Sequence, residues 1–215
     1  MQKINKFDLL VSVYIFCIVV AELMGGKTFP LAKIFGYQLN ASVAIFVLPL
    51  IFTINDVIAE SLGRDRAKSV IRSGLIVVGL IFLVSVFFVN LPPSARFFQN
   101  EKAYDTIFGL SVRISAASLI AFAIAEFLDV LVFVKIRETL GKRRLWLRNN
   151  LSNFASQFVD TAVFMTFAFF AFDKSLNANF SFLTSLIIPY WLLKCFMSLI
   201  ETPFVYIGVK WLRNK

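Results

Sequence analysis

Apolar residues gather along this chain into blocks of membrane-crossing length, with short polar stretches between them. Six blocks stand out, at about 7–24, 38–58, 70–91, 108–135, 151–172 and 181–209. A helix needs roughly 20 apolar residues to cross about 30 Å of hydrocarbon. The pattern therefore predicts an all-α membrane protein, a bundle of six transmembrane helices in a single transmembrane domain, 1–215. Pro49 lies inside the second block and predicts a bend there. Pro189 and Pro203 predict a kink or break in the long sixth block. The first block, after Lys3 and Lys6, has the look of a signal peptide. It is long, no A-x-A site follows it, and further blocks come after, so it is expected to stay as the first helix.

Charge placement sets the expected orientation. Lys3 and Lys6 precede the first span. Arg64, Arg66, Lys68 and Arg72 follow the second. Lys135, Arg137, Lys142, Arg143, Arg144 and Arg148 follow the fourth, and Lys210, Arg213 and Lys215 close the chain. With six spans these cations share one side, and the opposite side keeps only Lys27, Lys33, Arg96, Lys102 and Lys174. The positive-inside rule then puts both termini in the cytoplasm, with the chain multi-pass in the membrane. The net charge of +9 reads as topology and contact with anionic lipid, not as nucleic-acid binding. At 59% hydrophobic, the chain is well above the ~45–50% usual for soluble domains. It has no histidine, and Cys17 and Cys195 both lie in apolar blocks, so no metal site or other cofactor is expected. The two cysteines read as small packing residues, not as a disulfide.

The chemistry sits in polar residues that the spans retain. The stretch 111–133, SVRISAASLIAFAIAEFLDVLVF, carries Arg113, Glu126 and Asp129. Each charge at membrane depth costs about 3 kcal/mol or more, so it is expected to face protein or a water-filled path. Glu126 and Asp129 share a helix face, where they serve a polar solute or answer Lys135 and Arg137. Arg113 points away from them and either joins the site or anchors the outer end of its helix. In span 5, Asn153, Gln157 and Asp160 follow i, i+4, i+7 spacing and share a face. Such a row reads the donors and acceptors of a heterocycle or hydrogen-bonds between helices. In span 6, Lys194 lies too deep to snorkel and is expected to pair with Asp160 or Glu126. Asp56, Glu60 and Arg64 at the end of span 2 read either as a ladder of ion pairs or as a gate. Glu22 is a further carboxylate without an assigned role. Of the 26 Phe residues, Phe122, Phe158 and Phe164 adjoin the polar rows and are candidates for stacking on a flat ring.

Four stretches in order carry a resemblance. They are PLIFTINDVIAESLG (49–63), VRISAASLIAFAIAEFLDVLVF (112–133), SNFASQFVDTAVF (152–164) and YWLLKCFMS (190–198) followed by Thr202-Pro203. Together they resemble the queuosine precursor transporter family, also called the vitamin uptake transporter family, over about 27–206. The resemblance implies a six-helix protein similar to the substrate-binding components of energy-coupling-factor transporters. It implies uptake of 7-cyano-7-deazaguanine or 7-aminomethyl-7-deazaguanine. The family's recurrent positions fall here on Asp56, Glu60, Gly63, Arg113, Ser118, Asp129, Asp160, Lys194 and Pro203. Two positions depart from its pattern: Leu62 replaces a frequent Tyr, and Glu126 a frequent amide. The residue pattern suits such a substrate. A carboxylate at Asp160 or Glu126 accepts the adjacent N1–H and exocyclic amine of a guanine-like ring, and Gln157 or Asn153 donates to its carbonyl. The expected site is a polar pocket between helices 4, 5 and 6, lined by these residues with Asp129, Lys194, Arg113 and Phe122.

Other classes remain in view. The motifs H-E-x-x-H, G-x-S-x-G and the P-loop are all missing, which argues against an enzyme and against self-powered ATP-driven transport. A substrate-capture subunit for another vitamin or nucleobase, which needs a separate energising complex, is the alternative. A scaffold without a solute is a further one. If the chain carries solute alone, Asp160, Glu126 or Asp129 are the candidate sites for coupled protons. The oligomeric state is open.

Overall fold

The computed structural model describes the backbone of residues 5–140, 145–200 and 202–213, and the side chains of 5–124, 154, 157–196 and 203–213. In chain order it contains α1 (Lys6–Met24), β1 (Thr28–Ile34), β2 (Tyr37–Ser42), α2 (Leu48–Leu62), α3 (Arg64–Val89), α4 (Glu101–Leu140), α5 (Leu145–Phe169), α6 (Leu176–Ile200) and α7 (Thr202–Arg213). Short 3₁₀ turns at Val43–Phe46 and Phe98–Asn100 lead into α2 and α4.

Among the described residues, four helical stretches are long and apolar enough to cross a membrane: Lys6–Met24, Arg64–Val89, Phe98–Ile124 and Leu176–Phe196. Only 17% to 33% of the residues in their apolar windows are buried inside the protein. A soluble core would hide far more of such helices. Their outward faces carry Phe16, Leu83, Phe87, Phe180 and Phe196, all exposed. This is the surface of a multi-pass membrane protein, whose solvent on these faces is hydrocarbon.

The second block differs from the helix expected at 38–58. Residues Tyr37–Ser42 form a strand paired with β1, and the helix begins only at Leu48. Two local features explain this. Phe35 (φ 48°) and Gly36 (φ 83°) both take positive φ, the signature of a tight two-residue hairpin turn. Pro49 falls in the first turn of α2, where its missing N–H costs nothing, so it starts the helix instead of bending it. With 15 residues, α2 is about 22 Å long and cannot cross the bilayer unaided. Gly63 (φ 89°) ends α2, and Arg64 therefore opens α3 and is not one more turn of the Asp56–Glu60 face. The sixth block is divided into α6 and α7. Pro203 sits in the first turn of α7, and Pro189 lies inside α6.

The chain divides into two compact units. The first comprises the chain up to Phe29, Ser42–Ser115, and Phe196 onward. Its core joins Tyr14, Cys17 and Ile18 of α1 to Ile54, Val57 and Ile58 of α2 and Val70 and Val78 of α3. Close approach depends on missing side chains. A Cβ on Gly74 would lie 2.6 Å from Ile18 Cδ1, and one on Gly208 would lie 2.5 Å from Val57 Cγ2. Polar groups tie the same helices: Ser111 Oγ donates to Leu23 O at 3.0 Å, and the Asn55 side chain hydrogen-bonds to the Tyr14 hydroxyl.

The second unit comprises Pro30–Ala41 and Ala116–Cys195. Its core includes Ala117, Ala121, Thr161, Met165, Ala168, Leu183, Leu186 and Tyr190. Buried Asn179 closes the connection from α5 to α6, accepting from Ala171 N at 2.7 Å and donating to Ala171 O at 2.8 Å. The hairpin is held to α6 by the Tyr37 hydroxyl, which donates to Ser181 O, and by Asn40 Nδ2, which donates to Ser185 Oγ at 2.8 Å.

Val57 is buried and β-branched, so it has little room to yield to a new methyl group. Gly208→Ala is expected to destabilise by about 1–3 kcal/mol. Gly79→Ala, where a Cβ meets open space, should cost nothing. Thermal unfolding of the purified protein in detergent reads both.

Candidate functional site

Among the described residues of the second unit, an ion pair joins α5 to α6. Asp160 lies on α5 one turn above Gln157, and Lys194 lies on α6 one residue before Cys195. Lys194 Nζ approaches Asp160 Oδ2 to 2.6 Å, a charge-assisted hydrogen bond as well as an ion pair. Their side chains keep 15% and 33% of their accessible surface, for lysine and aspartate respectively. The pair is therefore neither sealed in a core nor open on a surface. A bilayer-facing helix does not retain two such charges unless each satisfies the other.

Aromatic and polar groups flank the pair. Trp191 lies one turn before Lys194 and Cys195, and its Nε1–H donates to Phe154 O at 3.0 Å. That bond fixes the indole, and the Phe158 ring packs against it edge-on, with centroids 5.4 Å apart and planes at 79°. The Cys195 thiol lies 3.9 Å from Gln157 Oε1, the length of a weak sulfur hydrogen bond. Thr161 Oγ1 returns to Gln157 O at 2.7 Å, so this hydroxyl is satisfied within its own helix. The arrangement offers a carboxylate, an ammonium, an amide and two ring systems along the α5–α6 contact. That set suits a flat polar solute with adjacent donors and acceptors.

Of the residues expected at the site, Gln157, Asp160 and Lys194 are brought together. Lys194 pairs with Asp160, one of the two carboxylates expected for it. Phe158 is half-open and packs on Trp191, while Phe122 lies half-buried on α4 in the same unit. Asn153 lies on α5, and Glu126 and Asp129 on α4, but their side chains fall outside the described residues. Arg113, Asp56, Glu60 and Arg64 belong to the other unit. Among the described residues, Asp56, Glu60 and Arg64 form no ion pair with one another, and Glu60 contributes a backbone carbonyl that accepts from Arg213 at 3.1 Å. Glu22 is buried on α1. The sequence pattern missed the placement of Trp191 and Cys195. Their i, i+4 spacing beside Lys194 is the signal that would have found them. Among the described residues, no cluster of three or more His, Cys, Asp or Glu is placed to hold a metal ion.

Residues 42–208 match the model of a family described as a putative vitamin uptake transporter. The chain belongs to this family. A probable queuosine precursor transporter of Bacillus subtilis (strain 168) is 31% identical over 201 residues, covering 93% of this chain and 82% of that relative. A queuosine precursor transporter of Escherichia coli (strain K12) is 30% identical over 126 residues, 58% of this chain and 53% of its own length. A probable queuosine precursor transporter of Haemophilus influenzae is 27% identical over 135 residues, 62% of this chain and 54% of its own length. No solved structure gives a significant match. The family agrees with the resemblance carried by 49–63, 112–133, 152–164 and 190–198. This vitamin uptake transporter family member is thus a multi-pass membrane transporter and not an enzyme.

Removing either partner of the Asp160–Lys194 pair leaves a charge facing a low-dielectric surround. Asp160→Asn and Lys194→Met are each expected to lower stability by about 1–3 kcal/mol, the partial exposure keeping the loss below that of a sealed pair. The double variant should lose less than the sum of the two. Thermal unfolding of all four forms in detergent measures the coupling.

Proposed function

We propose that this transporter imports queuosine precursors, 7-cyano-7-deazaguanine or 7-aminomethyl-7-deazaguanine, across the bacterial cytoplasmic membrane. Six crossings, the second made by α2 together with the 3₁₀ turn Val43–Phe46 that leads into it, and cytoplasmic termini complete the reading. The observation that carries it is the Asp160–Lys194 pair, flanked by Trp191 and Phe158, in a chain 31% identical to a probable queuosine precursor transporter.

The chemistry of a 7-deazaguanine fits this set of groups. The ring presents N1–H and its exocyclic amine side by side, and the Asp160 carboxylate accepts both. Lys194 already occupies Oδ2 at 2.6 Å, so the ring enters by sharing the carboxylate or by drawing the ammonium away. Gln157 donates its amide to the ring carbonyl. Trp191 and Phe158 supply apolar faces along the ring. Asn153, Glu126, Asp129 and Phe122 complete the proposed binding set, with Asp56, Glu60 and Arg64 as a separate gate or structural group and Arg113, in the other unit, as the anchor of its own helix end. A site that reads donors in this way rejects analogues lacking them, because its own polar groups would stay unpaired.

Uptake is read in cells that cannot synthesise the precursor, as queuosine appearing in tRNA when precursor is added. Asp160→Asn should lower uptake about tenfold or more, the loss expected when a charged hydrogen-bond acceptor is replaced. Glu126→Gln should lower it as well. Unchanged uptake in both variants overturns the proposed site. Proteoliposomes holding this chain alone separate a self-sufficient carrier, which accumulates precursor, from a capture subunit, which binds it without transport.

A further inference from the structure

We propose that one end of the first unit is a binding seat for the phosphate of an anionic phospholipid. Three contacts gather the end. Lys6 Nζ, at the start of α1, donates to Trp211 O near the C-terminus of α7 at 2.8 Å and lies 5.4 Å from the Trp211 ring centre. Arg213 Nη2, at the end of α7, donates to Glu60 O near the end of α2 at 3.1 Å. The Arg66 guanidinium, in the first turn of α3, lies 4.8 Å from the Phe7 ring centre. Cations from three separate chain segments thus meet at the ends of four helices.

The geometry leaves Arg66, Lys210 and Arg213 able to take a ligand, with Lys6 holding the end together. Lys6 and Arg213 are held by carbonyls at helix C-termini, where the partial negative charge favours a cation without neutralising it. Arg213 uses one of its five N–H donors on Glu60 O. Lys210 lies one turn before Arg213 and is exposed, as are Arg64, Arg66 and Arg213. Among the described residues, none of these four is in an ion pair. Asp8, Glu60 and Asp65 lie on the same end and are exposed too, but the cations outnumber them.

The outer surface of α7 identifies the occupant. Phe204, Ile207 and Trp211 form an exposed stripe at i, i+3, i+7, and Tyr206, Lys210 and Arg213 form the stripe beside it. The inner side is committed to α2, where Gly208 meets Val57. An apolar stripe that ends in a tryptophan and two cations matches the profile of a bilayer from acyl chain to headgroup. A free anion would explain the cations but not the exposed Phe204 and Ile207. A phospholipid with a net negative headgroup explains both.

The full chain, purified in detergent, is offered phosphatidylglycerol and phosphatidylcholine in equal amounts, and retained lipid is measured by native mass spectrometry. The protein should retain phosphatidylglycerol preferentially. Lys210→Gln combined with Arg213→Gln should lower that preference about 25-fold, since each cation near the surface contributes on the order of fivefold in affinity. Lys210→Arg with Arg213→Lys should keep it. Lys33→Gln with Lys102→Gln removes the same charge elsewhere and should also keep it. Equal retention of the two lipids, an equal loss in the Lys33/Lys102 variant, failure of the Arg/Lys exchange to retain the lipid, or displacement by inorganic phosphate would each overturn the proposal.

Discussion

In hydrocarbon, water is not available to satisfy a polar group, so every donor and acceptor that the chain carries into the membrane needs a partner within the protein. The helices meet this demand for the backbone. Several hydroxyls follow the same rule: Ser12, Ser73, Thr106, Thr161, Thr166 and Thr184 each donate to the carbonyl four residues earlier in their own helix, whereas buried Ser61 Oγ and Ser115 Oγ have no partner among the described residues. Ser111 instead crosses to the carbonyl of Leu23, and Asn179 closes the α5–α6 connection. Charged groups have no such local solution. Asp160 and Lys194 therefore find each other across two helices, at 2.6 Å.

Close packing and breaks in the helices do the remaining positioning. Gly74 and Gly208 let α1 and α7 come against α3 and α2, where a Cβ would lie 2.6 Å from Ile18 Cδ1 and 2.5 Å from Val57 Cγ2. Gly63 ends one helix and starts the next, and Pro49 and Pro203 each begin a helix that follows a break. The hairpin adds a polar attachment to α6 through Tyr37 and Asn40. Trp191 is pinned by Phe154 O and so presents its ring in one orientation beside Lys194. Family membership and this geometry agree on a membrane transporter whose polar groups are sparse.

Much of this was legible before any coordinates. Blocks of apolar residues marked the long helices, since a bilayer demands about 20 such residues per crossing. Lys194 was legible as needing a carboxylate, Asp160 or Glu126, because a lone charge at that depth is too costly to keep. The start of the second block was not legible. Its hydropathy matched a span, and hydropathy alone does not distinguish a strand from a helix over a short apolar run. The positive φ at Phe35 and Gly36 and the place of Pro49 decided it. Arg64 was likewise read as one more turn of α2, because i+4 spacing assumes a continuous helix and Gly63 breaks it.

The sequence by itself determined that this protein lives in a membrane, where its long helices run, and which buried charges need partners. Those properties follow from transfer energies and helical periodicity, which depend on residues near in sequence. Only the tertiary structure decided that Trp191 is held by Phe154 O and Cys195 faces Gln157, and that Lys6, Arg66 and Arg213 converge on one end. Such meetings join residues up to 205 positions apart, as Lys6 and Trp211 are. They depend on how helices pack, and packing is settled by the shapes of whole faces, not by any local pattern.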